Sequence, residues 1–496
     1  MLRRYGWLGA IAIVYLYLFP YYPKLQSANE LPRVYLVQAI VEDHTFAIDH
    51  QIKQYGGTSD LSAYRGHSYQ NKAPGASLIV VPFYAAWKAI AGTPSLAQAM
   101  WLCRIVTCII PSLLFLWLLW GYLERFAPEP ATRKLVLYAY AFGSMAFTYS
   151  LTYYAHQPST ICLATAWILG ERWAEGGRSR WSMFWVGLLA GLAPTIDYQT
   201  AFAGVPLVIY LIVKMRARYA TREILAALAI ALVGAAIPLA VLLAYHRACF
   251  GSPFATGYNY AVTFGADHVH GLLGMTYPKW DAIVGSTVAP SNGFIALAPW
   301  WLLAIMGGKF MWRTREHALV VTVIAVTAIL FYFVTSLTAW HAGWEVGPRY
   351  IVALQPFLLP LVAYALARWD DRPHFIGVAG GLILLGVVVY TTSTATLPTW
   401  PDSFHNPVIE VAFRLLHDNA GAPTILHTHS ALGVVPVLAL VAILVGVAIV
   451  NAGGGLRGLV IAVVIAALGI AGFHALGTGQ AASEAYARTL YPAVAQ

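Results

Sequence analysis

Between residues 27 and 75 the chain reads SANELPRVYLVQAIVEDHTFAIDHQIKQYGGTSDLSAYRGHSYQNKAPG. This segment is dense in acids, bases and histidines, although only 10% of the whole chain is charged. Charges beside a bilayer are costly and are usually kept for function. Glu30 stands just beyond the first apolar run, where a carboxylate can take a proton from a hydroxyl presented at the membrane edge. Asp43 and Asp49 are the alternative bases, and a solvated acid at a helix exit is the plainer role for Glu30. Glu42-Asp43-His44 and Asp49-His50 have carboxylate and imidazole spacing that a divalent cation accepts, without fixing a ligand set. Lys72 precedes Ala73-Pro74-Gly75 and an apolar segment. That sets an ammonium at the mouth of a surface helix, the level at which phosphate groups lie. Snorkelling to headgroups is the competing role. Arg33 follows Glu30 by three positions, so a helix brings them to one face as a local ion pair or as part of a site.

Further groups lie far along the chain. Trp340-His341-Ala342-Gly343-Trp344-Glu345-Val346-Gly347-Pro348-Arg349 ends on a guanidinium whose fork fits phosphate oxygens. Its His341, Trp344 and Glu345 are candidates for substrate contact, and tryptophans also mark the aromatic belt. Arg104 falls inside an apolar run, where an unpaired charge is costly, so it needs an acid or a lipid phosphate. His156, Asp197, Tyr198 and Tyr69 sit at helix ends or in the first loop and suit the rim of one cavity, or capping. The run Gly251-Ser252-Pro253-Phe254-Ala255-Thr256-Gly257-Tyr258 has turn chemistry and reads as an ordered cover loop, with His268 and His270 further on.

These residues must be held by membrane helices. The chain is 59% hydrophobic with a mean hydropathy of +0.65. Apolar runs long enough to cross a ~30 Å hydrocarbon layer recur throughout. We place spans at 5–22, 99–122, 135–153, 158–174, 181–197, 199–213, 224–246, 293–308, 317–337, 350–367, 374–393, 431–450 and 457–476. This is an all-α polytopic membrane protein of about thirteen helices. With the N-terminus inside, 18 of the 30 Lys and Arg and 8 of the 21 Asp and Glu fall on one side. That side carries +10 and the other −1, which add to the +9 of the chain. Such asymmetry is the positive-inside pattern. It also decides segment 76–91. Counting it as a span would put the basic connectors outside, so it reads as a helix lying in the outer interface. The excess positive charge belongs to cytoplasmic connectors and implies no nucleic acid. The four cysteines have no metal-ligand or disulfide spacing. No phosphate-binding Gly-rich loop, dinucleotide fingerprint or HExxH pattern is present.

The arrangement resembles the GT-C glycosyltransferases, which include the protein O-mannosyltransferases and the lipid A aminoarabinose transferase. Asn29-Glu30 stands where that family has an acidic pair after the first helix. Tyr69-Gln70-Asn71-Lys72-Ala73-Pro74-Gly75 stands where it has a Lys-Pro-Pro segment. Arg104 matches a basic residue early in the second helix. Asn29 replaces the first acid of the pair, and His156-Gln157 stands where several relatives have an acid. The motifs cover about the first 220 residues. Helix number and topology extend the likeness to the whole chain. The resemblance implies an enzyme that takes a sugar from a polyprenyl-phosphate carrier at the outer face of the plasma membrane. Its partners would be that lipid-linked sugar, membrane lipids, and an acceptor glycan, glycolipid or protein. Lys72, Arg349, Arg33 and Arg104 would then bind the donor phosphate. No cofactor follows beyond the open divalent cation.

Residues 1–220 form the expected catalytic module with its first outer loop, 23–98. Residues 221–400 add helices and cover loops. Residues 401–496 add an outer loop and two C-terminal helices. Within loop 394–430, Val408, Val411, Ala412 and Leu415 have helical spacing. The competing function is a transporter or flippase for a lipid-linked or small polar substrate. Transporters place ionisable groups near the bilayer midplane and often repeat internally. Here no repeat is visible, and the charges gather at helix ends.

Overall fold

The computed structural model describes residues 2–18, 27–177, 179–268, 271–426, 428 and 430–477. Arg178 and His270 lie outside the described residues, as does part of the span expected at 5–22.

Among the described residues the expected apolar runs are largely helical, because a backbone in lipid must satisfy its own hydrogen bonds. Six helical stretches among the described residues are long and apolar enough to cross a membrane: Leu96–Arg125, Thr221–Phe250, His317–Ser336, Arg349–Ala367, Pro373–Thr396 and Ala431–Ala475. The last divides into Ala431–Ile449 and Gly455–Ala475, because Gly453 and Gly455 take positive φ of 99° and 56° between them. The remaining segments of the expected thirteen are also helical, but shorter or interrupted. Leu2–Tyr17, Arg180–Ile196 and Thr200–Arg216 have 16 or 17 residues. His156–Ala174 reaches 19 but is less apolar. Segment 135–153 breaks at Gly143, and Ser144 starts a new helix by accepting from the Ala146 amide at 3.1 Å. Segment 293–308 is broken at Ala298 and Pro299. The expected all-α membrane architecture is present, with six of the expected helices long and apolar enough to span by themselves. Pro, Gly and Ser interrupt apolar runs that hydropathy reads as continuous.

Some helices approach closely. Arg180–Ile196 packs along Thr221–Phe250, and a Cβ on Gly187 would lie 1.7 Å from the Ala231 carbonyl oxygen. Small residues permit such contact between helices in lipid. Pro373–Thr396 packs in the same manner on Gly455–Ala475.

The first loop is a compact layer with its own buried cluster, including Val34, Tyr35, Val80, Tyr84, Met100 and Phe250. Helices Leu31–Gln38, Asp49–Tyr55 and Gly75–Ala91 build it. It also holds a hairpin that periodicity did not suggest, of β1 (Leu61–Tyr64) and β2 (His67–Gln70), antiparallel with Leu61 opposite Gln70. Arg65 and Gly66, at φ 50° and 81°, make the two-residue turn whose twist suits a hairpin. Residues 257–262 lie along β1. The Val262 amide donates to the Leu61 carbonyl at 2.9 Å, and Ser62 Oγ donates to the Gly257 carbonyl at 2.6 Å.

Helix Leu96–Arg104 opens on a capping box, Ser95 with Gln98. A wide turn at Ile105–Ile109 follows Arg104 directly. Pro111, which has no amide hydrogen to donate, lies just beyond it. In loop 394–430 the chain is helical over 408–417, and Val408, Val411, Ala412 and Leu415 are buried.

Candidate functional site

The loops that the charge pattern groups on one side meet around a cavity of about 590 Å³. Its wall comes from residues 27–31, Tyr55, Ser59, Asp60 and Lys72 of the first loop, from Leu96, Met100 and Arg104, and from Thr152, Tyr154 and 197–199. The loop after Thr221–Phe250, residues 337–339, 341–344 and 349–350, and residues 397–399 and 402 complete it. Lys72 precedes helix Gly75–Ala91 and Leu96 follows it, yet both line the cavity.

Of the residues chosen from the sequence, Glu30, Lys72, Arg104, Asp197, Tyr198, His341, Trp344 and Arg349 line this cavity. Arg33, His156 and Glu345 are buried behind its wall. Asp43 and Asp49, offered as alternative bases, are not among the residues that line it. Asp43 accepts from Gln51 at 2.7 Å and contacts His50 at 3.0 Å. Asp49 accepts from the Ser68 amide and contacts His67, each at 2.8 Å. Burial pushes both carboxyls up, but these hydrogen bonds outweigh it and hold them below the ordinary 3.8. Tyr69 also lies apart, packed on Phe250, and its hydroxyl pKa is raised by burial.

Glu30 and Arg104 hold each other. Arg104 Nε donates to Oε1 at 2.9 Å and NH2 to Oε2 at 2.8 Å. The Tyr153 amide donates to Oε1 at 2.6 Å. Both groups are nearly fully buried, so a fork-to-fork pair is the arrangement that makes them tolerable. This explains Arg104, whose position demanded a partner. It also commits both oxygens of Glu30. The ion pair expected between Glu30 and Arg33 does not form. Arg33 donates instead to the backbone and side-chain oxygens of Asn29, and its Nε has no partner.

Lys72 Nζ lies 3.3 Å from Asp60 Oδ1 and 5.2 Å from the Tyr258 ring centre. Burial pulls the Lys72 pKa down. The nearby Arg349 and Arg33 charges add to that, against the pull of Asp60. Arg349 lies over Tyr154 and Tyr350, at 5.4 and 5.7 Å. Its Nε is 3.6 Å from Glu345 Oε2, and NH1 donates to the Trp344 carbonyl at 3.3 Å. Burial raises the Glu345 carboxyl well above the ordinary 4.5, with Arg349 and Asn292 opposing. His341 contacts Asp402 at 3.3 Å, half-exposed at the mouth. Asp197 Oδ2 receives His156 Nδ1 at 2.7 Å and Gln199 Nε2 at 3.1 Å. The Tyr198 hydroxyl meets His246 Nε2 at 2.8 Å.

Asp60, Tyr154 and Gln199 line the cavity and were missed in the sequence, whereas Tyr258 belongs to the run read as a cover loop. Asp60 had one signal, an acid in a Gly-Gly-Thr-Ser turn ahead of an alternating segment. Among the described residues, no group of three or more His, Cys, Asp or Glu is placed to hold a metal ion. Comparison with protein-family models gives no match, and comparison with curated proteins gives none either.

Proposed function

We propose that this chain is an integral membrane glycosyltransferase. It moves a sugar from a polyprenyl-phosphate donor to an acceptor glycan, glycolipid or protein, at the external face of the plasma membrane. The observation that carries this reading is the convergence of Lys72 and Arg349. They come from loops far apart in sequence, yet line one cavity closely enough for Arg349 to depress the Lys72 pKa. Two cations at one spot suit a leaving phosphate, whose charge grows as its bond to the sugar breaks. Leu96, Met100, Phe264, Phe333 and Leu337 add an apolar wall for the first isoprene units. Tyr154, Tyr258, Trp344 and Tyr350 supply rings on which a sugar can stack. Glu30 and Arg104 act as a fixed strut between the first loop and the second helix.

The reaction needs a hydroxyl on the acceptor to lose its proton as it attacks the anomeric carbon. Carboxylates in the same cavity can take it. The test is direct. Purified protein is given a panel of polyprenyl-phosphate sugars, and free polyprenyl phosphate is measured. Release that depends on an acceptor supports the reading. Movement of an intact lipid-linked sugar across vesicles, with no release, replaces it with a flippase.

A further inference from the structure

We infer that Asp197 is the catalytic residue that takes the acceptor proton, with His156 and Gln199 as its positioning residues. This rests on the glycosyl-transfer reading above and goes beyond it by assigning the base.

Five acids line the cavity: Glu30, Asp60, Asp197, Asp267 and Asp402. Glu30 has both oxygens engaged by Arg104 and the Tyr153 amide. Asp60 is paired with Lys72, the cation wanted by the phosphate. Asp402 is half-exposed at the mouth and faces His341. Asp267 lies in the short turn Gly265–His268 of the cover loop, with no side-chain hydrogen bond to hold it among the described residues. Asp197 differs from the other four in that two side-chain hydrogen bonds hold its carboxylate, neither comes from Lys or Arg, and one oxygen is left open. Oδ2 receives His156 Nδ1 and Gln199 Nε2, whereas Oδ1 has no hydrogen bond among the described residues.

The support behind Asp197 is rigid. Its amide donates to the Ala193 carbonyl at the end of helix Arg180–Ile196, and its carbonyl receives the Thr200 hydroxyl at 2.8 Å. His156 is 5% exposed and sits among the rings of Tyr149, Tyr154 and Tyr350. Its Nε2 is buried and has no partner, so the imidazole's polar contact is the one on the Asp197 side. Contact with a carboxylate assigns the ring hydrogen to Nδ1. That hydrogen bond fixes which way the carboxylate faces. The neighbouring Tyr198 ring packs on Tyr258, which also contacts Lys72 and His268. The open oxygen and the phosphate-binding ammonium thus belong to one wall.

The step balances without further reagents. The acceptor O–H gives its proton to Asp197 Oδ1. The acceptor oxygen forms a bond to the anomeric carbon. The bond from that carbon to the phosphate oxygen breaks, and its electron pair leaves on the polyprenyl phosphate beside Lys72 and Arg349.

Azide separates a base from a structural residue, because it attacks carbon without losing a proton. Purified full-length protein is given a polyprenyl-phosphate sugar, with either a hydroxyl acceptor or sodium azide. In Asp197→Ala, transfer to the hydroxyl acceptor should fall by about 10²-fold or more, the scale for losing a general base. Glycosyl azide formation should stay near the wild-type rate, which also reports a folded site. His156→Ala should lower hydroxyl transfer in part, and His156→Asn, whose amide can still donate to Oδ2, should recover most of it. Equal loss with both acceptors would overturn the assignment, as would wild-type hydroxyl transfer by Asp197→Ala. A wild-type protein that releases polyprenyl phosphate from no donor would instead overturn the glycosyl-transfer reading itself.

Discussion

Arg104 and Glu30 are buried together, and each is tolerable only because the other is present. Glu30→Gln removes the counter-charge of a guanidinium whose side chain is only 2% exposed. We expect a loss of about 3–5 kcal/mol of stability, the range for breaking a buried ion pair, seen as a clear fall in Tm in detergent. An unchanged Tm would show that Arg104 finds another anion. Lys72 and Arg349 should behave as a unit. Each change to Ala should weaken binding of a polyprenyl phosphate by about 1.5–3 kcal/mol. The double variant should lose less than the sum, because both act on one group. Simple additivity in titration calorimetry would place them on separate ligands. Lys72 also sets a pH dependence. Burial, then Arg349 and Arg33, lower its pKa from the ordinary 10.5. Folding therefore releases a proton in the window between the lowered value and 10.5, and stability rises with pH there. Binding of a phosphate has the opposite sense, since it needs the charged ammonium. Donor affinity should fall as pH rises through the lowered value, and Lys72→Arg should move that fall to higher pH. The sequence offered Lys72, Arg104 and Arg349 by type and place. It could not pair Arg104 with Glu30 or Lys72 with Asp60, because those contacts join separate elements.

The first loop and the loop after Thr221–Phe250 depend on each other. Residues 257–262 extend the β1–β2 hairpin, and a Cβ on Gly257 would come within 2.6 Å of the Asn71 carbonyl oxygen. Neither atom belongs to a flexible side-chain end, so the chains must separate. Gly257→Val should therefore detach the loop from the hairpin. Faster hydrogen exchange at residues 61–72 and 257–262, with the distant helices unchanged, is the expected result. Acid should loosen the same layer from another point. Asp43 and Asp49 sit below 3.8 in the folded chain, so what they contribute is full above that value and lost as pH falls through their lowered values. This layer was read from the sequence as polar loop plus a surface helix. The hairpin escaped notice because its strands have only four residues each.

Over the whole molecule, the groups assigned to the two sides stay apart and cluster among themselves. On the basic side, Arg125 and Lys214 gather on Glu171 and Glu175. Tyr122 also donates to Glu171, at 2.7 Å. On the other side lies the cavity. If this reflects topology, a cysteine at Ser59 should react with an impermeant maleimide added to intact cells, and one at Ala217 should not. Background should be low, since Cys103, Cys108 and Cys249 are buried and Cys162 is only partly exposed. Labelling at Ala217 alone would reverse the orientation and remove the external carrier-lipid chemistry.

Hydropathy alone determined that the chain is rich in apolar helices of the kind that cross membranes, and roughly where they run. Those properties are local or additive, so no packing is needed to read them. Tertiary structure decided the rest. Glu30 meets Arg104, Asp60 meets Lys72 and His156 meets Asp197 across separate elements. It also removed Asp43 and Asp49 from the cavity and withheld an acid from Arg33. A helical period reports only neighbours three or four positions away. Which carboxylate is clamped by a guanidinium, and which keeps an open oxygen, depends on how distant backbones are held against one another.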